Sequence, residues 1–165
     1  MIMDFLRNNK ISASFLALLR IYIGYKWFAA GISKLQMSGF DASGFITMAA
    51  ESSTAPAWWQ VFLQNVAVPN AELFSFMVLW GEILVGIALI LGVFSNFAAL
   101  MGITMNLSFL FSGAGLLDAQ MAILTVFIVI AGSNAGRYGL DRWIQPALRK
   151  LIFHKEETNK EVAVV

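Results

Sequence analysis

No cysteine occurs anywhere in the 165 residues, and histidine occurs once, at His154. The first absence excludes a disulfide, a thiolate nucleophile, an iron–sulfur cluster and a dithiol relay. A lone histidine cannot build a metal or haem site unaided, so no metal site is expected. Charge is also sparse: Asp, Glu, Lys and Arg make up 13% of the chain and nearly cancel, to a formal net charge of +1. That supplies none of the basic surface on which counterion release from nucleic acid depends. What fills the chain is apolar. With 59% hydrophobic residues and a mean hydropathy of +0.73, a water-soluble fold could not hide the apolar surface, and an integral membrane protein is expected. The first apolar run follows a short polar head, is interrupted by Arg20 and has no small-residue cleavage site beyond it, so no removable signal peptide is expected.

A helix needs about 20 mostly apolar residues to cross a hydrocarbon core roughly 30 Å thick. Four stretches qualify, at about 12–35, 71–93, 96–113 and 118–135. The break at Phe94-Ser95-Asn96 is so brief that the second and third spans must form an antiparallel hairpin, and Ser112-Gly113-Ala114-Gly115 makes a second tight reversal before Asp118. The expected fold class is therefore all-α: an integral membrane four-helix bundle over residues 1–150, with a polar tail at 151–165. Arg7 and Lys10 precede the first span, and Arg137, Arg142, Arg149, Lys150 and Lys155 follow the fourth. An even number of crossings returns both positive flanks, and so both termini, to the cytoplasmic side.

Residues 37–69 then form an extracytoplasmic loop too long for a mere connector. It holds the helix-compatible run FITMAAES and then AWWQVFLQNVAV after Pro56, where Trp58, Trp59 and Phe62 occupy neighbouring helical positions. A short interfacial helix is expected there. Paired tryptophans at a membrane boundary serve as headgroup anchors, or as an aromatic lid over a cavity that opens outward. Pro69 and Asn70 start the next helix, with Asn70 as N-cap and Glu72 in the first turn.

The stretch WGEILVGIALILG, Trp80 to Gly92, places Glu82 in a run otherwise apolar for many residues. A charge at the bilayer centre costs at least roughly 2.5–3.5 kcal/mol, so it is expected to face the bundle interior and to have a partner. Arg20 is the obvious one. Arg20, Gly24, Trp27, Gly31 and Lys34 share one helical face, as do Glu72, Ser75, Glu82 and Gly86, with small residues that permit close approach. At 1.5 Å per residue, Arg20 lies about 12 Å and Glu82 about 16 Å from the cytoplasmic edge, a mismatch that an arginine side chain can span. An Arg20–Glu82 pair is expected, as a structural pair or as part of a substrate, proton or ion path. Asn106 and Ser108 read as interhelical hydrogen-bond glue, and Asp118, Gln120 and Asn134 add polar groups to the ends of the fourth span. Lys26, flanked by Tyr22 and Tyr25, is past the midpoint and can snorkel outward. In SNAGRYGLDRW, Ser133 to Trp143, glycines stop the helix and Asp141 is within reach of Arg137 and Arg142, giving a charge-paired end. Beyond it, PALRKLIFHK is a basic amphipathic stretch.

The order of these features resembles the DoxX/DoxD family. The matching pieces are Arg20 to Gly24 and Gly31 to Lys34, Trp80-Gly81-Glu82 with Gly86 and Leu91-Gly92, Met105-Asn106 with Phe111-Ser112-Gly113, and Ala131-Gly132 through Gly136-Arg137-Tyr138-Gly139-Leu140-Asp141. Phe40 to Phe45 in the outer loop also matches. The resemblance implies a small four-helix protein of a bacterial cytoplasmic membrane, related to the large subunit of thiosulfate:quinone oxidoreductase. It further implies oxidation of thiosulfate to tetrathionate, membrane quinone as electron acceptor, and a second oxidoreductase subunit. On that basis Arg20 and Glu82 are the expected catalytic residues, and Lys26, Lys34, Trp27, Trp80 and Asn106 the expected substrate-binding residues. The alternative is a non-enzymatic membrane module that binds a small molecule or lipid, or a scaffold for redox enzymes, possible as a homo-oligomer. A secondary transporter fits less well, because four spans show no inverted repeat.

Overall fold

A computed structural model describes residues 2–37 and 39–147, and every regular element among them is helical. The polar tail at 151–165, with His154 and the end of the basic stretch, lies outside the described residues, as does the side chain of Asp118. Helix α1 (Ile2–Asn8) is a short prelude to α2 (Lys10–Gln36), which Asn9 caps by accepting from the Ile11 N–H at 2.7 Å. Helices α3 (Ser43–Glu51) and α4 (Ala57–Phe62) occupy the long loop. The chain then runs on through a π turn, Leu63–Ala67, and a 3-10 turn, Val68–Asn70, into α5 (Ala71–Leu91). Helix α6 (Ser95–Phe111) follows at once, then α7 (Leu116–Ala131), a 3-10 turn (Gly132–Gly136), and α8, described over 141–147.

Among the described residues three helical stretches are long and apolar enough to cross a membrane: Lys10–Gln36, the continuous Ala57–Leu91 and Ala119–Gly136. Ser95–Phe111 is apolar but shorter. The expected loop-to-helix boundary at residue 70 is thus a change of helical pitch. Asn70 makes no side-chain cap: its amide donates to the Val66 carbonyl at 2.8 Å, because the preceding turns already occupy the backbone that a cap would serve.

Helix α2 packs along α5, α5 against α6, α6 against α7, and α7 back against α2. The ring encloses a core that includes Leu16, Ile23, Trp27, Leu89, Ala99 and Ile128. The α2–α5 contact is backbone on backbone. A Cβ on Gly86 would lie 2.5 Å from the Phe28 nitrogen, and one on Gly24 would lie 2.9 Å from the Gly86 carbonyl oxygen, so the glycines set the spacing of these helices.

A second, smaller core at one end joins Ala42, Ile46, Ala49 and Ala50 of the loop to Leu63 and Ala67, with Phe40, Trp59, Phe62 and Phe74 packed on it. Trp59 stacks on Phe62 at 4.9 Å and donates its indole N–H to the Ser112 hydroxyl at 2.9 Å, tying α4 to the α6–α7 turn. Trp58 meets Phe111 edge-on at 5.2 Å but remains 60% exposed. The tryptophan pair therefore divides: one ring closes the assembly and the other faces out. At the start of the segment Ser75 accepts from the Ala42 N–H at 2.8 Å, and Asp41 accepts from the Ser43 N–H and hydroxyl at 2.8 and 2.6 Å.

Candidate functional site

The expected Arg20–Glu82 pair does not form. Arg20 lies one turn from Gly24, where α2 meets the end of α5, whereas the Cβ of Glu82 approaches Gly31 farther along α2. The Arg20 head packs against Gly92, ten positions beyond Glu82 on the same chain, which separates the two charges by about 15 Å. The reason is direction: α2 and α5 are antiparallel, and Arg20 aims toward the C-terminal end of α5, the negative end of that helix dipole.

Around Arg20 the sequence builds a lock. Gly92 takes a left-handed φ of 70°, ending α5. Its carbonyl and that of Leu91 accept from the N–H groups of Asp141 and Leu140 at 2.8 and 3.1 Å. In return the Asp141 carboxylate accepts from Phe94 N–H and Ser95 N–H, at 2.7 and 2.8 Å, and so caps the start of α6. Arg20 Nη1 donates to the Ala135 carbonyl at 3.0 Å and to Ser95 Oγ at 3.3 Å, and Asp141 supplies the opposing charge. Arg20 is 1% exposed and Asp141 2%. Asp141 was expected to pair with Arg137 and Arg142; instead its oxygens are taken up by backbone, because the α5–α6 turn exposes two amide groups with no acceptor within their own helix. That role for Asp141 was missed from sequence. The signal was available: the α5–α6 break is too short to cap itself.

Glu82 pairs with Lys34. Lys34 Nζ donates to both carboxylate oxygens, at 2.9 and 2.7 Å. The carboxylate side is 3% exposed and the lysine 24%, so the pair runs from the bundle interior to its accessible edge, where Nζ also lies 5.8 Å from the centre of the Phe40 ring. Phe40, just before α3, thus lies over the lysine end of the pair. Deeper in, Trp27 and Asn106 are buried at 3% and 1% exposure, yet Trp27 Nε1 and both amide atoms of Asn106 have no hydrogen-bond partner among the described residues. Asn106 is therefore not interhelical glue. Ser108 is not either: its hydroxyl donates to the Thr104 carbonyl of its own helix. Met105, beside Asn106, approaches Gly81, beside Glu82, and a Cβ on Gly102 would lie 3.2 Å from Trp27 Nε1. Asn106 thus lies near the level of Glu82, while Trp27 lies midway along α2, between Arg20 and Lys34.

The other expected site residues lie elsewhere. Lys26 is exposed on the outer face of α2, with Nζ 5.7 Å from the centre of the Tyr22 ring, and Trp80 is 41% exposed beside Phe76. Both project away from the core because Trp27, next to Lys26, and Glu82, two positions from Trp80, take the inward positions of the helical period.

A family profile described as "TQO small subunit DoxD" matches residues 15–160. The chain belongs to the DoxD family. With its three span-length apolar helices, this DoxD-family chain is a membrane protein. The description corrects the relation expected from sequence, naming the small rather than the large subunit. Neither the curated proteins nor the solved structures provide a match.

Proposed function

We propose that this DoxD-family chain is the membrane subunit of a thiosulfate:quinone oxidoreductase, working with a second subunit in a bacterial cytoplasmic membrane. Its ring of α2, α5, α6 and α7 crosses the bilayer four times with both termini in the cytoplasm, and α3 and α4 lie at the outer interface. The reaction class rests on the family; the site rests on the geometry of Lys34 and Glu82.

The single observation that carries the site is the Lys34–Glu82 pair at 2.7 Å, a charge pair inside the helical ring with one partner reaching the surface. Intramembrane ionisable groups mark substrate and proton paths by default. Two thiosulfates joining through their sulfurs release two electrons, and a quinone, when bound, supplies the acceptor for those electrons and two protons. The unpartnered Trp27 Nε1 and Asn106 amide fit the carbonyl and hydroxyl groups of such a ring, since each offers a buried hydrogen bond not otherwise satisfied. Lys34 orients the anion at the accessible edge, and Glu82 and Lys34 can exchange a proton with no change in the net charge of the pair.

A second reading has its own observation. Lys34 is neutralised by Glu82, which leaves no surplus positive charge for a dianion, so the same core could hold a neutral ligand or lipid without turnover. The test is thiosulfate-dependent reduction of a soluble quinone by the purified complex. On the oxidoreductase reading, Glu82→Gln and Lys34→Met each lower turnover about 10²-fold while the protein remains folded. Quinone binding that survives with no turnover by the intact complex would favour the binding module.

A further inference from the structure

At the Arg20 end of the bundle a cleft of about 450 Å³ opens between α1, the 3-10 turn after α7, and α8. Three guanidinium-bearing side chains line it, those of Arg7, Arg137 and Arg142, together with the amides of Asn8, Asn134 and Gln145. Asp141 is the acidic group in its wall, but that carboxylate is taken up by the N–H groups of Phe94 and Ser95. Among the described residues neither Arg137 nor Arg142 pairs with a carboxylate. Among the described residues of its wall, three guanidinium groups thus face a single carboxylate, which leaves the cleft with surplus positive charge.

It is also rigidly framed. Asn134, 3% exposed, donates to the carbonyls of Leu6 and Asn9 at 2.7 and 3.1 Å and to Ser12 Oγ at 3.1 Å, pinning α1 to the turn. Its own oxygen faces Arg137 Nη1 at 3.5 Å. Arg7 Nε donates to the Ile130 carbonyl at 3.0 Å, which fixes one wall at the end of α7. Arg7 and Arg137 are thus placed before any ligand arrives, and the planar donors of an arginine suit phosphate oxygens better than lysine would. The chain is a membrane protein, and the cleft lies at the end of the span-length stretch Ala119–Gly136, the level at which a spanning helix meets lipid headgroups.

We propose that the Arg7–Arg137–Arg142 cleft is a binding site for a phosphate group, carried by an anionic phospholipid or free in solution. Phosphate monoesters and diesters present the charge and the acceptor oxygens that this donor set lacks. The site lies at the opposite end of the ring from Lys34 and Glu82 and does not depend on the function proposed for that pair.

Native mass spectrometry of the full chain in detergent tests it, with phosphatidylglycerol and phosphatidylcholine offered in equal amounts. Phosphatidylglycerol should be retained over phosphatidylcholine, and Arg137→Gln with Arg142→Gln should lower that retention about tenfold. The charge-preserving pair Arg137→Lys with Arg142→Lys should stay within a few-fold of wild type, which separates loss of charge from loss of fold. Millimolar inorganic phosphate identifies the source. Displacement of the lipid by phosphate, with the same dependence on the two arginines, assigns the cleft to the free anion; lipid that phosphate does not displace assigns it to the headgroup. Equal retention of the two lipids with no binding of phosphate, or retention unchanged in the glutamine variant, would overturn the proposal.

Discussion

At one end of the helical ring Arg20 is sealed among Ser95, Ala135, Gly92, Gly139 and Asp141, while toward the other Lys34 and Glu82 form an ion pair whose lysine reaches the surface. Both put charge inside an apolar bundle, but the surroundings differ. Around Arg20 and Asp141 the partners are mostly backbone groups at helix ends, so the charges complete the fold's own hydrogen bonding. Lys34 and Glu82 pair side chain to side chain, and in the core Trp27 and Asn106 keep polar atoms without partners among the described residues. The buried charges at the Arg20 end satisfy backbone and so belong to the architecture, whereas the pair that reaches the surface is the one proposed for chemistry.

The largest effect should come from breaking the sealed end. Arg20→Met leaves the Ala135 carbonyl, Ser95 Oγ and the Asp141 charge without their partner, and should cost about 3–5 kcal/mol in reversible unfolding from mixed micelles. A near-neutral result would mean that Asp141 holds the α5–α6 turn alone, and the contrast between the ends would lose its basis.

The open end should be more forgiving. Lys34→Met or Glu82→Leu alone should cost about 2 kcal/mol, less than at Arg20 because the lysine already meets solvent, and the double variant should recover most of the loss. A thermal-unfolding cycle over the four proteins measures this. No recovery in the double variant would make the pair as architectural as Arg20.

Smaller still is the tie between the cover and the ring. Trp59→Phe keeps the stack on Phe62 but removes the hydrogen bond to Ser112, and should cost about 1 kcal/mol in the same assay. If quinone reduction by the complex responds to that change while stability barely moves, α4 acts as a lid over the Lys34 edge rather than as an anchor.

The smallest effect is one of pH. The Ser43 hydroxyl and N–H, with Ser75, hold the exposed Asp41 carboxyl below the usual carboxylate range. A depressed folded value means that the contribution is complete above the ordinary aspartate range and fades as pH falls through the folded value. Tryptophan fluorescence of the α3–α4 segment should therefore shift slightly at acid pH, and the shift should be absent in Asp41→Asn. A transition at or above the ordinary aspartate range would contradict the Ser43 contacts.

Much of the architecture was legible in the residues. Long apolar runs, the short Phe94-Ser95-Asn96 break and the glycines of α2 and α5 led to apolar helices, a tight turn and a close α2–α5 contact, because periodicity and small side chains act locally. The candidate site was legible as a set of residue types and not as a set of partners. Rise per residue put Arg20 and Glu82 at compatible depths, yet several angstroms of tolerance also admitted Lys34, and only the packed register of α2 on α5 chose between them. Lys26 stands one position from the inward-facing Trp27 and Trp80 two from the inward-facing Glu82, distinctions of about 100° and 200° in helical phase that hydropathy in an apolar run does not encode.

By itself, the sequence determined that this protein is helical, apolar enough for a membrane, free of thiol chemistry and related to the DoxD family. Tertiary structure alone decided that Asp141 returns from far along the chain to cap α6, that Arg20 joins it there, and that Glu82 takes Lys34. The physical reason is that helix and hydropathy arise from neighbours in sequence. The partner of a buried charge is set by which helix ends and side chains meet across the ring, and no local pattern records that.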